Sequence, residues 1–365
     1  MLLTPQELNH AFSLISFTSE QRRAVESVSR RINQEPVLER LAQRDAACLA
    51  DPRGPERLEA DKDQLAALLG DLADVYPAVI LLTRVSWLEG EYARLGISET
   101  LLRDALSDIP LWMCNFEKHT GRIGLREYTW LTNHLRMRLF RLGRLEYILT
   151  KSRVPAWFYF NGETAQYAAL AASGLWFDAS GQLCAQGCGR ETVHTCEGGV
   201  ITGYPIDALG RIQARPLSLR ASRWELALAP GDPVLDVHIP EGPPMEPEAV
   251  AASLKAAIPF YRDVLGREEE RAFTCGSWLM SPALPQILPG SNLAAFQKRF
   301  RIAPYTLRDN QVFERVYGRG FTSWEEMPME TRLQRGVRDW YQSGGSMRQM
   351  QGVILRREME DGGRD

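Results

Sequence analysis

The segment from residue 234 to residue 280 constrains the fold more than any other part of the chain, because its pattern is strand, helix, strand. Residues 234–239 and 273–280 have the apolar alternation of strands. Residues 247–265 carry apolar side chains at helical spacing, namely Val250, Leu254, Ala257, Ile258 and Tyr261. Parallel strands need a crossover of about this length, so the two strands are predicted to be parallel neighbours. Pro259 is expected to kink the helix.

The N-terminal part of the chain has a pattern typical of helices. Apolar residues recur at spacings of three and four. Thr4 is followed three positions later by a Glu, and Thr18 by a Gln, and each pair has the sequence of a capping box. With 365 residues the chain exceeds one typical core. We therefore expect an α+β protein with an all-helical domain over 1–120 and a mixed α/β domain over 121–357. Residues 358–365 are polar, contain glycine and are predicted to be a disordered tail.

Composition excludes several classes of protein. A formal net charge of −3 gives no general attraction to nucleic acid. The N-terminus has no basic stretch before an apolar run, and no segment approaches the roughly 18 apolar residues of a spanning helix. Six cysteines are too few for a disulfide scaffold and fit free thiols in a reducing compartment. We therefore expect a cytoplasmic protein whose partner is a small molecule, with no nucleic-acid or membrane partner.

His238 and Glu241 stand where parallel sheets commonly bind ligands. Side chains alternate along a strand, so Asp236 and His238 share one face of residues 234–239. A loop containing Glu241 follows, and the next helix starts within a few residues. Strand carboxyl ends and the helix N-termini that follow them attract ligands, which makes both side chains candidates for acid–base chemistry. The alternative is a hydrogen-bonded histidine and a carboxylate at a helix entry.

Cys275 and Ser277 are candidate nucleophiles on the second strand. Both lie on the face opposite Thr274 and Gly276. A cysteine beside a histidine on a neighbouring strand can form a nucleophile pair, which would indicate a hydrolase. A buried cysteine is more often inert packing, and neither a third orienting group nor a nucleophile elbow accompanies this one.

A group of thiols and one imidazole has the composition of a zinc site. Its members are Cys184, Cys188, His194 and Cys196. The spacing Cys-x3-Cys-x5-His-x-Cys lacks the Cys-x2-Cys knuckles of common zinc sites, so we predict that these residues bind no metal.

A local basic run offers a contact for phosphate. It consists of Arg136, Arg138, Arg141 and Arg144. Such runs are most often solvated faces paired with acids elsewhere. The Gly-x-Gly-x-x-Gly and Gly-x4-Gly-Lys-Ser/Thr motifs are absent, which excludes standard dinucleotide and P-loop sites.

Several longer motifs resemble a bacterial family of acyltransferase-domain proteins. The motifs are RLGRLEY (141–147), PGDPVLDVHIPEG (230–242), SWL (277–279), SNLAAF (291–296) and TRLQR (331–335). Members of that family join a helical acyltransferase N-terminal domain to a C-terminal domain similar to the Gcn5-related N-acetyltransferases (GNAT). The resemblance thus implies a GNAT-like domain with a central, partly parallel, splayed sheet.

The resemblance also implies a ligand and its site. In the GNAT fold, acyl-CoA lies in the splay as co-substrate, with its pyrophosphate at a helix N-terminus and its thioester carbonyl polarised by a backbone N–H. No tightly bound cofactor is implied. By this analogy the segment from His238 to Met245 is the phosphate loop, and Cys275 to Trp278 is the facing strand. Candidate catalytic residues are His238, Glu241 and Cys275, and candidate acyl-CoA-binding residues are Ile239, Gly242, Met245, Ser277, Trp278 and Asn292.

The phosphate loop departs from the GNAT pattern and keeps a second function open. The usual loop is Arg/Gln-x-x-Gly-x-Gly/Ala, whereas residues 240–244 contain one glycine, three prolines and the acidic Glu241. Prolines remove N–H donors, and Glu246 and Glu248 add negative charge where an anion should bind. The leading expectation is acyl transfer from acyl-CoA to a small amine or hydroxyl acceptor. The alternative is a non-catalytic small-molecule-binding or regulatory protein on the same scaffold.

Overall fold

Two compact units make up the chain, Met1–Leu142 and Gly143–Asp365. The first is mostly helical and the second contains the sheets, which confirms the predicted α+β class. The boundary follows Leu142 and not residue 120, because a last helix and a short strand complete the first unit. The computed structural model describes residues 1–51, 62–126, 128–305, 311–318 and 323–360.

The first unit is built from helices, and two of them begin at the capping boxes that the sequence predicts. They are α1 (Pro5–Leu14), α2 (Ser19–Gln34), α3 (Pro36–Ala50), α4 (Lys62–Leu69), α5 (Tyr76–Leu82), α6 (Val85–Arg94), α7 (Glu99–Leu106), α8 (Asp108–Thr120) and α9 (Tyr128–Leu135), followed by strand β1 (Leu139–Leu142). Both predicted capping boxes are present. The Thr4 hydroxyl accepts from the N–H of Glu7, and the Thr18 hydroxyl accepts from the N–H of Gln21, each at 3.2 Å.

One helical stretch of the first unit, Lys62–Arg94, is long and apolar enough to cross a membrane by length and composition. A 3₁₀ turn at Gly70–Val75 divides it. In α5, Tyr76 and residues 78–82 are at most 3 % exposed and form part of the unit's core. Core helices pass the same test as spanning helices, so the expected absence of a membrane partner stays a prediction.

The second unit contains short strands and a few helices. The strands are β2 (Leu145–Lys151), β3 (Ala156–Asn161), β4 (Gln166–Ala171), β5 (Trp176–Phe177), β6 (Arg190–Glu191), β7 (Thr195–Glu197), β8 (Val200–Gly203), β9 (Leu217–Arg220), β10 (Glu225–Leu228), β11 (Pro233–His238), β12 (Ala272–Ser277), β13 (Arg301–Ala303) and β14 (Met350–Leu355). The helices are α10 (Pro247–Pro259), α11 (Leu284–Ile287), α12 (Asn292–Lys298), α13 (Gln311–Tyr317), α14 (Arg332–Gln342) and α15 (Arg356–Glu360).

The predicted strand–helix–strand segment lies at the centre of this unit. Its main sheet has the order β2-β11-β12-β14-β13. Strands β11 and β12 are parallel neighbours connected through α10, which confirms the prediction, while the other pairs are antiparallel. Strand β12 is shorter than predicted, because Trp278–Met280 turns into a 3₁₀ helix.

The β11–β12 pair separates toward its carboxyl end. Cα register runs from Val234 opposite Ala272 to Asp236 opposite Thr274. Beyond that point β11 continues to His238 along β2, whereas β12 continues to Ser277 along β14. The strands therefore part after Asp236 and Thr274, which is the splay that the GNAT resemblance implies.

Different layers cover the two faces of the main sheet. Helix α10 covers one face. On that face the ring centroids of Tyr147 and Phe273 are 5.8 Å apart, and the Tyr147 hydroxyl lies 2.8 Å from Oγ of Ser253 on α10. The sheet β10-β3-β4 covers the other face, with Phe158 packed in one apolar cluster with Val234. Alternation along the strands therefore puts residues 236, 238 and 274 on the face toward β3, and residue 275 on the face toward α10.

The helix after β11 changes type at Pro259. Helix α10 ends there and is followed by a π turn, Phe260–Val264. Proline has no N–H, and its ring displaces the preceding turn, which a wider turn accommodates. The expected interruption thus takes the form of a π turn.

The predicted disordered tail is wrong for residues 358–360, which complete α15. Glu358 is 7 % exposed, and its carboxylate accepts from the Arg301 guanidinium at 2.7 Å and from the Leu355 N–H at 3.0 Å. The partner Arg301 lies 57 positions away in the sequence, so local composition could not reveal it. Residues 361–365 lie outside the described residues.

Candidate active site

Polar side chains meet at the point where β11 and β12 part. His238 Nε2 lies 3.2 Å from Asp236 Oδ2, and the Thr274 hydroxyl donates to Asp236 Oδ1 at 2.7 Å. The side chains of His238 and Asp236 are 31 % and 28 % exposed, so a ligand in the splay can reach them. A carboxylate that holds an imidazole orients the ring and stabilises its protonated form. This arrangement can therefore accept a proton from a bound molecule.

Glu241 follows His238 in the loop that leads to α10. Its side chain is exposed at the protein surface, as are the neighbouring loop residues 242–244. Ile239 is half-buried and Pro240 is buried. The two candidate bases therefore differ in their surroundings: His238 is held at the splay by a carboxylate, and Glu241 lies on the solvent side of the loop.

A cavity of about 390 Å³ lies beside this loop. It is lined by Arg144, residues 242–245 and residues 291–293. The structure thus brings together Gly242, Met245 and Asn292, which are separate in sequence and which the resemblance assigned to acyl-CoA binding. The other three assigned residues, Ile239, Ser277 and Trp278, are not among the described lining residues.

The local sequence explains how the far wall of the cavity is built. Ser291 is the N-cap of α12, and its hydroxyl accepts from the N–H of Ala294 at 3.2 Å. The same hydroxyl donates to the carbonyl of Leu288 at 2.8 Å. Both bonds fix the start of α12, and Asn292 with it.

Cys275 is not a partner for His238. The side chain is 2 % exposed and faces α10, whereas Asp236 and His238 lie on the opposite face of the sheet. Burial raises the pKa of the Cys275 thiol, and the charge of Asp236 raises it further. A neutral, enclosed thiol on the wrong face cannot act as the nucleophile of a Cys–His pair.

Ser277 is also unsuited to that role. Its hydroxyl accepts from the N–H of Leu279 at 3.1 Å and caps the 3₁₀ helix that ends β12. It lies on the same side of β12 as Cys275, because it is two residues further along. The hydrolase alternative, which needed one of these nucleophiles beside His238, is therefore wrong.

His194 takes part in an aromatic cluster that sequence reasoning missed. Its ring stacks on Trp157 with centroids 4.7 Å apart and planes 1° apart, and its Nε2 lies 2.9 Å from the Tyr159 hydroxyl. Burial lowers the pKa of His194, while burial and the nearby charge of Cys196 raise the pKa of Tyr159 to about 12. The available signal was the alternation of Trp157 and Tyr159 on one face of β3.

The thiol of Cys184 donates to the carbonyl of Cys188. The expected absence of a metal at Cys184, Cys188, His194 and Cys196 stays a prediction.

A second residue missed from sequence is Gln351, which lies opposite Gly276 at the splayed end of β12. Gln351 is 3 % exposed, and its Oε1 has no hydrogen-bond partner among the described residues. A Cβ atom on Gly276 would lie 2.9 Å from that oxygen. The side-chain amide of Gln351 therefore fits beside residue 276 because that residue is glycine. A buried acceptor therefore lies beside Gly276 near the carboxyl end of β12.

Comparison with family profiles finds matches in both units. Residues 6–137 match the family described as N-acyltransferase N-terminal domain, and residues 139–354 match the family described as GNAT-like C-terminal domain. The second match spans more than half of the 365 residues. No curated protein sequence matches the chain.

Solved structures with the same fold include acyltransferases with bound ligands. An acyltransferase mutant in complex with octanoyl-CoA is 17 % identical with a TM-score of 0.66, and an acyltransferase in complex with decanoyl-CoA is 19 % identical with a TM-score of 0.64. A complex with decanoyl-CoA and teicoplanin has 17 % identity and a TM-score of 0.66. Each alignment covers 97 % of this chain and 89 % of the other. At these identities the likeness shows the fold.

Proposed function

Since this chain belongs to the family of acyltransferase-domain proteins with a GNAT-like C-terminal domain, we propose that it transfers an acyl group from acyl-CoA to an amine or hydroxyl of a small-molecule acceptor. The observation that supports the proposal is the cavity beside the loop before α10, because it gathers Gly242, Met245 and Asn292, which the GNAT resemblance assigns to acyl-CoA binding. The solved acyltransferases of the same fold carry octanoyl-CoA or decanoyl-CoA.

The splay provides the groups that the reaction requires. The acceptor nitrogen or oxygen attacks the thioester carbonyl carbon, a C–N or C–O bond forms, and the C–S bond breaks. His238 takes the proton that the acceptor loses, and Asp236 stabilises the resulting imidazolium. The proton then passes to the thiolate of CoA, which leaves as the thiol. Backbone N–H groups of β11 beyond Asp236, where pairing with β12 has ended, polarise the thioester carbonyl.

One solved structure of this fold is an acyltransferase in complex with decanoyl-CoA and teicoplanin. For this chain we propose a small-molecule acceptor with a nucleophilic amine or hydroxyl. We propose that groups near the carboxyl end of β12 select the amine or hydroxyl, and Gln351 offers a buried amide oxygen there.

Thermal shift and thiol release test the proposed function. Acetyl-CoA, octanoyl-CoA and decanoyl-CoA are added separately to the purified chain, and at least one should raise the melting temperature because it binds the native state alone. The same acyl-CoA with a panel of small amines and aminosugars should release CoA thiol. If no acyl-CoA stabilises the protein, the proposal is wrong.

One observation favours a second function, a small-molecule-binding protein without catalysis. The loop before α10 combines three prolines with Glu241, and Glu246 follows, which disfavours an anion near its backbone. This function predicts that no acyl-CoA releases thiol with any acceptor, and that a small molecule without phosphate raises the melting temperature more than acyl-CoA does.

A further inference from the structure

Arg144 lines the cavity as a cationic side chain outside the phosphate loop of residues 238–245. We propose that its guanidinium binds the diphosphate of acyl-CoA and replaces the backbone donors that the loop before α10 lacks. The inference rests on the proposed function, since it names the group that holds the co-substrate of that reaction.

The loop itself is poorly suited to hold a diphosphate. Pro240, Pro243 and Pro244 have no N–H to donate, and the carboxylates of Glu241 and Glu246 repel an anion. A GNAT loop rich in glycine solves the same problem with several backbone N–H groups. A cationic side chain from another element would offset both deficits of the loop if a diphosphate binds here.

Arg144 meets that requirement by its position. It lines the cavity, and among the described residues that line it Arg144 carries the only positive charge. The residue is 8 % exposed, so its charge acts in surroundings with little water to screen it. Its planar guanidinium can bond two phosphate oxygens at once, which a lysine ammonium does only as a point charge.

The surrounding structure holds Arg144 in place before any ligand arrives. Arg144 Nη1 donates to the carbonyl of Pro240 at 2.9 Å, which ties the arginine to the loop. Gly143 has a φ of +69°, and this left-handed residue turns the chain into β2. The N–H of Leu145 donates to Ser253 Oγ on α10 at 3.2 Å. Strand β2, the loop and α10 are thus joined around the cavity. Binding then costs little conformational entropy at Arg144, because its side chain is already ordered.

Ligands with and without phosphate test the proposal directly. Octanoyl-CoA carries the diphosphate, and S-octanoyl-pantetheine has the same thioester arm but no phosphate. Arg144→Gln should weaken octanoyl-CoA binding by about 10- to 100-fold, the range for losing a charge-assisted hydrogen bond. Binding of S-octanoyl-pantetheine should stay within twofold of the parent value. Octanoyl dephospho-CoA, which keeps the diphosphate but lacks the 3′-phosphate, should show the same loss as octanoyl-CoA.

Arg299 offers the matched control. It is half-buried, its Nη2 donates to the carbonyl of Pro247 at 3.2 Å near the start of α10, and it does not line the cavity. Arg299→Gln removes the same charge from the same neighbourhood and should leave octanoyl-CoA binding within twofold. Equal losses in both variants would mean that only the overall field matters, which overturns the proposal.

The remaining outcomes separate this inference from the proposed function. If the parent protein binds neither acyl-CoA nor S-octanoyl-pantetheine, the function is wrong; if it binds both and Arg144→Gln changes neither, only the role of Arg144 is wrong. Should Arg144→Gln fail to fold, Arg144→Lys keeps the charge and is measured instead. The role of Arg144 is supported if Arg144→Lys binds octanoyl-CoA more weakly than the parent does, by less than the roughly 10- to 100-fold expected for Arg144→Gln, and binds S-octanoyl-pantetheine equally well. If Arg144→Lys binds octanoyl-CoA with the parental affinity, the bidentate contact is contradicted.

Discussion

Replacing His238 by glutamine separates its effect on proton transfer from its effect on the stability of the fold. Glutamine is about as long as histidine and can still donate a hydrogen bond to Asp236, but it cannot accept the acceptor's proton at neutral pH. A general base contributes about 10²- to 10⁴-fold to rate, so turnover of the best acyl-CoA should fall by that factor. At roughly 1.4 kcal/mol per decade, this equals about 2.7 to 5.5 kcal/mol of transition-state stabilisation.

Stability should change little in the same variant, because the His238 side chain is 31 % exposed and is not part of the core. Substitutions at such sites alter the free energy of unfolding by about 0.5 kcal/mol or less, which moves the melting temperature by about 1 to 2 °C in a domain of this size. Turnover is followed as release of CoA thiol, and unfolding by circular dichroism. His119→Gln, at an exposed position on α8, is the control and should be fully active.

Two results would refute this reasoning about His238. A loss of activity accompanied by a drop in melting temperature of about 5 °C or more, which corresponds to roughly 1 to 3 kcal/mol of stability, would show a structural histidine whose partner is left unpaired. Full activity of His238→Gln together with an inactive His194→Gln would move the base to the stack formed by His194 and Trp157.

Three further variants or treatments have defined outcomes. Asp236→Asn should lower turnover by about 10- to 100-fold by removing the carboxylate that orients the base, with acyl-CoA affinity unchanged in titration calorimetry. Iodoacetamide at pH 8 should label the exposed Cys188 and Cys196 and spare Cys275, whose pKa is raised by burial, as read by mass spectrometry; rapid labelling of Cys275 would contradict its enclosure. Gln351→Met should stabilise the free protein by about 1 kcal/mol or more in urea unfolding, because it removes a buried oxygen without a described partner, and destabilisation would show that a partner exists.

Local patterns were enough to predict the strand–helix–strand segment that carries the site. The alternation at residues 234–239 and the helical spacing that follows are properties of neighbouring residues, and β11, α10 and β12 have the expected order and direction. The capping boxes at Thr4 and Thr18 succeeded for the same reason. The resemblance then assigned Gly242, which lines the cavity.

What sequence could not supply was the register between strands and the contacts between distant residues. Alternation correctly put Cys275 opposite Thr274, but only the pairing of Thr274 with Asp236 shows that His238 lies on the far face from the thiol. The bond between Arg144 and Pro240 joins residues 96 positions apart, so a basic run in the sequence looked like a solvated surface. The stack of His194 likewise needed the three-dimensional path of the chain.

The loop before α10 changes which residues control binding of the co-substrate. In a glycine-rich loop the donors are backbone N–H groups, and no single side-chain substitution removes them. In this chain three prolines restrict the backbone, and a carbonyl of one of them, Pro240, is tied to Arg144 at 2.9 Å. On the proposed function, affinity for a diphosphate depends on one guanidinium, whereas the proposed base, His238, lies two residues before Pro240. Binding and proton transfer are therefore carried by different side chains attached to the same short segment, so each can be removed by one substitution and measured without the other.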